Sequence, residues 1–296
     1  MALTDGDPAM RLAVLICALL TFAPRASADA NVHIQVLKSG GIAVFRPGLK
    51  QPIFAFNAPE DGRPYVHPML APDGAGILTE FSPGHHKHQT GIYVGFLKVN
   101  GRDYFHNRTA DHFRRTAFKH AMNSEGVAFT SAYELLDKDK KPQLVETQAW
   151  VFRDFTKTYS IDLTLTLKAH ADVTFDKHDY GDLFLRMPWK NQPDAKAINS
   201  EGLINGKAEG QKARWIDIGM TVDGRKDAAH IAVLSHSPAL WRVDGQLGVG
   251  PAPSRAGAWK IAKGESVTLR YRFLVYTGDF QRDQVEAESK AFSAIK

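Results

Sequence analysis

The chain has 296 residues, 44% of them hydrophobic and 23% charged, with a formal net charge of +5 and 12 histidines. Those proportions are ordinary for a folded globular protein and exclude a disordered or low-complexity chain. The positive excess is spread out: Arg114-Arg115 and Lys138-Asp139-Lys140-Lys141 are its densest points, and neither carries the aromatic interleaving of a nucleic-acid surface, so no nucleic-acid partner is expected.

At the N-terminus Met10-Arg11 is followed by an apolar run, Leu12 to Ala23, and then by the small-residue pattern Ala26-Ser27-Ala28. That order predicts a secretory signal peptide over residues 1–28, too short in its apolar part to span a bilayer. Asp5 and Asp7 sit poorly in the basic region of such a segment, which makes Met10 an alternative start. The expected location is periplasmic or secreted, with no stable membrane anchor once the segment is cleaved. The one cysteine, Cys17, falls inside it, so the mature chain is expected to use no disulfide, no thiolate nucleophile and no Cys-ligated metal.

From residue 32 onward short apolar alternations are broken by Gly, Pro, Asn and Asp, the pattern of an all-β chain. Gly91 to Val99 and Arg102 to Phe105 flank Asn100-Gly101, a pair suited to the two positive-φ positions of a type I′ hairpin turn. Val127, Phe129, Ser131, Tyr133 and Leu135 share one strand face, and Val145 to Phe152 predicts another long strand. In Thr158 to Leu167, Tyr159, Ile161, Leu163, Leu165 and Leu167 face one way and the polar residues between them the other. Val267 to Val275 repeats this period, which a helix would scatter around its circumference. Only Gln281 to Ile295 has helical composition, with Val285 and Phe292 on a narrow apolar stripe. The expected fold is all-β: one large, supersandwich-like antiparallel β-sandwich over residues 29–296 with a short C-terminal helix, because no linker interrupts the strands.

Three histidines fall within Gly84 to Gly91, and His67 lies upstream. On an extended chain His86 and His88 would point to one side, where imidazoles move protons or bind a metal near neutral pH. A solvated turn is the plain alternative. A metal on His86 and His88 would need a third ligand such as His67, Glu80 or His178, and Ile92 and Tyr93 stand where a cupin would place its carboxylate. No cofactor is assigned, and a divalent metal remains an alternative at His86 and His88. Gln89 beside them suits a polyhydroxylated ligand.

Downstream, Arg186 follows a loop and could bind a carboxylate or polarise a carbonyl, or could pair with a buried acid. Glu201 sits in the turn Asn199-Ser200-Glu201-Gly202. Trp215 and Asp217 share a strand face, which is either a sugar platform with an acceptor beside it or a core Trp at a sheet edge. Glu80, Glu146, Asp182, Glu201 and Asp217 are the carboxylates available for two-acid glycosidase chemistry, and spacing in the sequence does not pair them.

These motifs form an ordered series. Arg63-Pro64-Tyr65-Val66-His67-Pro68, His86-x-His88-Gln89-Thr90-Gly91-Ile92 and Val99-Asn100-Gly101-x-Asp103-Tyr104-Phe105 resemble the bacterial family known as methane oxygenase PmoA-like. Tyr180-Gly181-x-Leu183-x-Leu185-Arg186-Met187-Pro188, Asn199-Ser200-Glu201-Gly202, Lys212-Ala213-Arg214-Trp215-x-Asp217 and His236-x-Pro238 continue the resemblance across residues 50–278. The family often has Asp where this chain has His85 and Gly where it has Asp182, so neither residue is carried over as a catalyst. The resemblance implies an exported β-sandwich protein in the company of sugar-handling enzymes, and adds Arg63, Tyr65 and His67 to the ligand-binding set.

The sequence therefore predicts an exported carbohydrate-active enzyme, a hydrolase, lyase or epimerase on a sugar or oxidised sugar, with a small-molecule or oligosaccharide ligand. His86 or His88 would move the proton, with Glu201 or Asp217 as the complementary acid or base. Arg63, Tyr65, His67, Gln89 and Arg186 would hold the ligand, and Trp215 would stack on it. A non-catalytic carbohydrate-binding module and a His-ligated metal-dependent oxygenase, as the family name suggests, are the alternatives.

Overall fold

A computed structural model describes residues 32–295 apart from 85 and 125. The expected signal peptide, Cys17 and His85 thus lie outside the described residues. In chain order the first strands are β1 (His33–Val36), β2 (Gly41–Phe45), β3 (Phe54–Asn57), β4 (Tyr65–Met69), β5 (Ile92–Gly95), β6 (Phe113–Asn123), β7 (Gly126–Leu136), β8 (Pro142–Asp154) and β9 (Tyr159–Ala169). There follow β10 (Val173–Phe175), β11 (Asp182–Leu185), β12 (Lys196–Asn199), β13 (Lys212–Thr221), β14 (Ala228–Val243), β15 (Val249–Pro251), β16 (Trp259–Ile261), β17 (Ser266–Thr277) and the helix α1 (Arg282–Ser293).

All but β10 and β16 belong to one antiparallel sheet of 15 strands, ordered β1-β2-β3-β4-β5-β11-β15-β14-β17-β9-β8-β7-β6, with β13 and β12 branching from β14. The sheet curls until its halves face each other. Phe54 and Phe56 of β3 meet Phe129, Trp150 and Phe152 of β7 and β8 at ring-centroid distances of 4.9–5.9 Å. The first layer is β1–β5, β11 and β15; the second is β6–β9, β17, the first half of β14, β13 and β12.

The predicted periodicity is what builds the core. Tyr159, Ile161, Leu163, Leu165 and Leu167 are all buried between the layers, while Asp162, Thr164 and Thr166 point away. Each such buried aliphatic side chain contributes about 1.5–3 kcal/mol of hydrophobic transfer. The large all-β sandwich expected from these alternations is the fold observed, and the helix expected at Gln281–Ile295 is α1, with Val285, Ser289 and Phe292 buried against the outer face of the second layer.

Two local expectations shift. The strand expected to run to Val99 ends at Gly95, and the chain turns back through Asn100 (φ 48°) and Gly101 (φ 77°), closed by a lone Val99–Arg102 bridge. The positive-φ pair is present as predicted. The segment around His86 is not extended either. The His86 N–H donates to the Pro83 carbonyl at 2.7 Å and the Gln89 N–H to the His86 carbonyl at 2.9 Å, so the histidines ride on successive tight turns.

Candidate functional site

The outer face of the first layer is where the histidines gather. On β4 the two-residue period sends Val66 into the core and leaves Tyr65 and His67 on the outer side, both partly exposed. Register then places Tyr65 opposite Tyr93 of β5, and Tyr93 opposite Phe184 of β11. With Leu97 and Phe105 these rings form a second apolar cluster outside the main core, against which Tyr65 and Tyr180 pack.

Arg63 underpins that cluster. It is 2% exposed, lies 3.7 Å from the Tyr93 ring centroid and donates to the Phe105 and His88 carbonyls. Burial pulls its guanidinium down to about 10 and pushes the Tyr93 phenol up. Arg63 therefore fixes the backbone that carries His88 and does not reach a ligand itself.

His88 is half buried. Its ring stands 5.8 Å from His86, 5.5 Å from Phe105 and 4.5 Å from His106. Burial first, then the positive surroundings of His106, Arg63 and His86, lower its pKa to about 4, with Asp103 pulling weakly the other way. The imidazole is consequently neutral at pH 7. His106 is held differently: its Nδ1 donates to Asp103 Oδ2 at 2.7 Å. Asp103 Oδ1 in turn accepts the Phe105 and His106 N–H groups at 2.9 and 3.0 Å. Burial works to raise the Asp103 carboxyl, but the bonds from His106 outweigh it and hold the group below the usual carboxylate value. A carboxylate on Nδ1 fixes the tautomer and leaves Nε2 as the proton acceptor.

Beside this group Phe81 is 40% exposed, an aromatic surface ringed by Tyr65 at 5.3 Å, His67 at 5.4 Å and the Arg108 guanidinium at 5.5 Å. Phe81 and His67 also line a cavity of about 480 Å³ with Gln51, Thr79, Glu80 and Lys190, a size within the ordinary range for small-ligand pockets. His67 Nδ1 is 3.0 Å from Thr79 Oγ1, and burial lowers the His67 pKa.

Gln89 and Arg186 are close to the site but committed to each other. Arg186, 1% exposed, donates from Nε to Gln89 Oε1 at 2.6 Å, to Gln246 at 3.1–3.2 Å and to Asp244 Oδ2 at 3.1 Å. With four of its five N–H groups engaged, Arg186 braces the loop at 244–248 against the His-bearing turn; this is the structural pairing with an acid that the sequence left as an alternative.

Glu201, Trp215 and Asp217 do not join the histidines. Trp215 and Asp217 do share a strand face, but it is the outer face of the second layer, closed by α1. Trp215 is fully buried there and donates from Nε1 to Glu286 Oε2 of α1 at 2.7 Å. Asp217, 1% exposed, accepts from His230 Nδ1 at 2.7 Å and from the Tyr276 hydroxyl at 2.6 Å. Gly219 permits this, because a Cβ there would fall 2.2 Å from the His230 ring. Glu201 stays in its turn near the start of α1, accepting from Ser200 Oγ at 2.7 Å. Trp215 thus offers no open plane to a sugar, and the expected convergence of all these residues on one concave face is not formed.

Of the other candidate carboxylates, Glu80 lines the cavity, and two are buried. Glu146 lies between the layers, where burial raises it to about 7 despite a bond from Gln148 at 2.6 Å. Asp182 is 1% exposed with φ 79°, and burial raises it to about 8. That backbone angle suits glycine, which gives physical sense to the Gly often found there in the resembling family. Among the described residues no group of three His, Cys, Asp or Glu is arranged to hold a metal ion.

A family of unknown function (DUF6807) matches residues 49–290. The chain belongs to that family. The name differs from the PmoA-like one that the motifs suggested, and it assigns no reaction. No curated protein matches the chain. Among solved structures it is similar to an α-galactosidase from Geobacillus stearothermophilus (TM-score 0.43, 11% identity, covering 83% of this chain and 41% of that one). It is also similar to galactose 1-epimerase from Lactobacillus acidophilus NCFM (TM-score 0.42, 9% identity, 84% and 99%) and to the α-galactosidase from Lactobacillus brevis (0.44, 10%, 90% and 42%). The chain spans about two fifths of the length of these α-galactosidases. At such identities and scores the likeness carries no argument.

Sequence reasoning missed Phe81, Asp103, His106 and Arg108. Asp103-x-x-His106 directly after the Asn-Gly turn was the available signal, since a turn brings an acid and a His three apart into contact.

Proposed function

We propose that this family member is an exported carbohydrate-active protein whose outer-face histidines transfer protons on a bound sugar. The observation that carries the reading is the Asp103–His106 pair, 2.7 Å apart, set against the neutral ring of His88 at 4.5 Å, on the face that also carries the exposed ring of Phe81. Phe81 supplies the stacking plane for sugar C–H groups, and Tyr65 and His67 flank it with polar groups for hydroxyls. His106, its Nδ1–H held by Asp103, accepts a proton at Nε2; the neutral ring of His88 is the adjacent group that can receive one in turn.

Proton removal and return, as in an epimerase or lyase, suits this arrangement better than two-acid hydrolysis. Hydrolysis needs two carboxyl groups flanking the scissile bond; at the histidines the acid, Asp103, serves His106, while Glu80 and Asp223 line the cavity instead, Asp223 bound to Lys190 at 2.5 Å.

The reading is tested by incubating the protein with mono- and oligosaccharides in D2O and following deuterium entry into sugar C–H positions by NMR. Exchange in the wild type, reduced about 100-fold in His106→Gln and His88→Gln, is the expected result for a lost acid/base group. Sugar binding with neither exchange nor product would leave a carbohydrate-binding module in its place.

A further inference from the structure

The arginines of this fold are nearly all spoken for. Arg46, Arg115, Arg225, Arg242 and Arg272 each hold an Asp or Glu within 3.2 Å, as Arg186 does. Arg108 is the exception on the site face. Its guanidinium lies over Phe81, 5.5 Å from the ring centroid, and makes no ion pair or side-chain hydrogen bond among the described residues. Its charge reaches Tyr65 and Arg63, acting on the pKa of each.

Two further cations lie nearby: Arg63 is buried beneath, and Lys87 is exposed on the turn between His86 and His88. The acid nearest to the histidines, Asp103, is committed to His106. The cavity's own acids are Glu80 and Asp223, and Arg108 is not part of its lining. The cation that meets the exposed Phe81 ring is therefore Arg108, outside the lining to which those acids belong.

We propose that the site takes an acidic carbohydrate, a sugar bearing a carboxylate, and that Arg108 is the residue that reads that carboxylate. This rests on the carbohydrate reading above and narrows it. A pyranose stacked on Phe81 presents its substituents at the ring edge, where the planar guanidinium meets a carboxylate with two parallel N–H···O bonds. A neutral sugar leaves that donor fork unanswered.

The pairing also gives the histidines a proton worth moving. With its carboxylate neutralised by Arg108, a uronate loses its C5 proton to an imidazole, which becomes imidazolium, and the electron pair passes into the carboxyl group. Delivery of a proton from water to the opposite face inverts C5, and the imidazolium returns its proton to solvent. Alternatively the pair forms a C4=C5 double bond as the C4 oxygen substituent departs, and that oxygen takes up a proton.

The test uses matched sugars that differ only at C6: glucose against glucuronate, galactose against galacturonate, mannose against mannuronate, each with its short oligomers. Binding to the full protein is measured by calorimetry, for the wild type and for Arg108→Gln, with thermal melts to confirm that the variant folds. Expected is at least a 10-fold preference for the acidic member of one pair, a preference that shrinks with added salt and falls to near unity in Arg108→Gln. Equal affinity for both members, or an undiminished acid preference in Arg108→Gln, overturns the proposal while leaving the carbohydrate reading in place. Binding of no sugar in the set overturns both.

Discussion

The two outer faces of this sandwich carry the same chemical pair. In each, a histidine Nδ1 lies 2.7 Å from an aspartate oxygen with aromatic rings around it. On the second layer, Asp217 and His230 are 2% and 7% exposed. There His230 Nε2 is also bonded to the Gly278 carbonyl at 3.0 Å, and the second Asp217 oxygen takes the Tyr276 hydroxyl. On the first layer, Asp103 and His106 are 34% and 38% exposed, and the imidazole faces another histidine. A site differs from a structural knot in what is left unsatisfied and reachable. Helix α1 makes the difference, because it covers one face and leaves the other open.

The largest effect is expected on the covered face. Asp217→Ala strands the His230 N–H and the Tyr276 hydroxyl in a buried place, and breaking such a pair costs about 3–5 kcal/mol. Urea denaturation should show that loss, while ligand binding at the first layer survives at permissive urea-free conditions. A variant as stable as the wild type would remove the structural role assigned to this pair.

Asp182 should give the next largest effect, with the opposite sign. Its carboxyl is buried without a hydrogen bond of normal geometry, and its φ of 79° is one that glycine adopts freely. Asp182→Gly relieves both costs and should stabilise by about 1–2 kcal/mol near pH 8. Because burial raises the folded pKa from 3.8 to about 8, the unfolded chain releases its proton first as pH rises. Native stability therefore falls between those values, and the advantage of the variant grows from pH 4 to pH 8. Urea midpoints at pH 5 and pH 8 decide it; an advantage that is larger at pH 5 contradicts the assignment.

On the open face the same kind of mutation should barely affect folding. Asp103→Asn weakens a pair more than a third exposed at His106, and such pairs contribute at most about 1 kcal/mol. Its proton-exchange rate with a bound sugar should nevertheless drop, because the His106 tautomer is no longer set. Unchanged exchange would separate His106 from the chemistry.

How much of this could be read from the chain depends on the range of the interactions involved. The period-two alternation of Tyr159 to Leu167 is local, so the strands and the sandwich were legible; so was α1, from Val285 and Phe292. The grouping of His86 and His88 is also local, and it survived even though the chain there turns instead of extending. What the sequence could not show is which outer face α1 would close. Trp215 and Asp217 have the composition of a sugar site and the alternation to share a face, and only the packing of Glu286 and Tyr276 against them reveals a knot. Phe81 was passed over for the converse reason: nothing local marks a lone aromatic as exposed.

The smallest effect, and the most direct probe of the open face, is the titration of His88. Burial, together with His106, Arg63 and His86, lowers its pKa from 6.5 to about 4, so the folded protein resists a proton that the unfolded chain accepts. Its contribution to stability is therefore present above pH 6.5 and lost as pH falls from there toward 4. The ring is only half buried, so solvent screens the effect and the change in stability should be slight. NMR of the ring protons is the sharper measurement: the His88 signal should stay that of neutral imidazole down to about pH 5. Asp103→Asn should push the midpoint lower still, since Asp103 is the acid that raises it. A midpoint near 6.5 in the wild type would mean that His88 faces open water, and the contrast between a poised face and a sealed one would lose its main support.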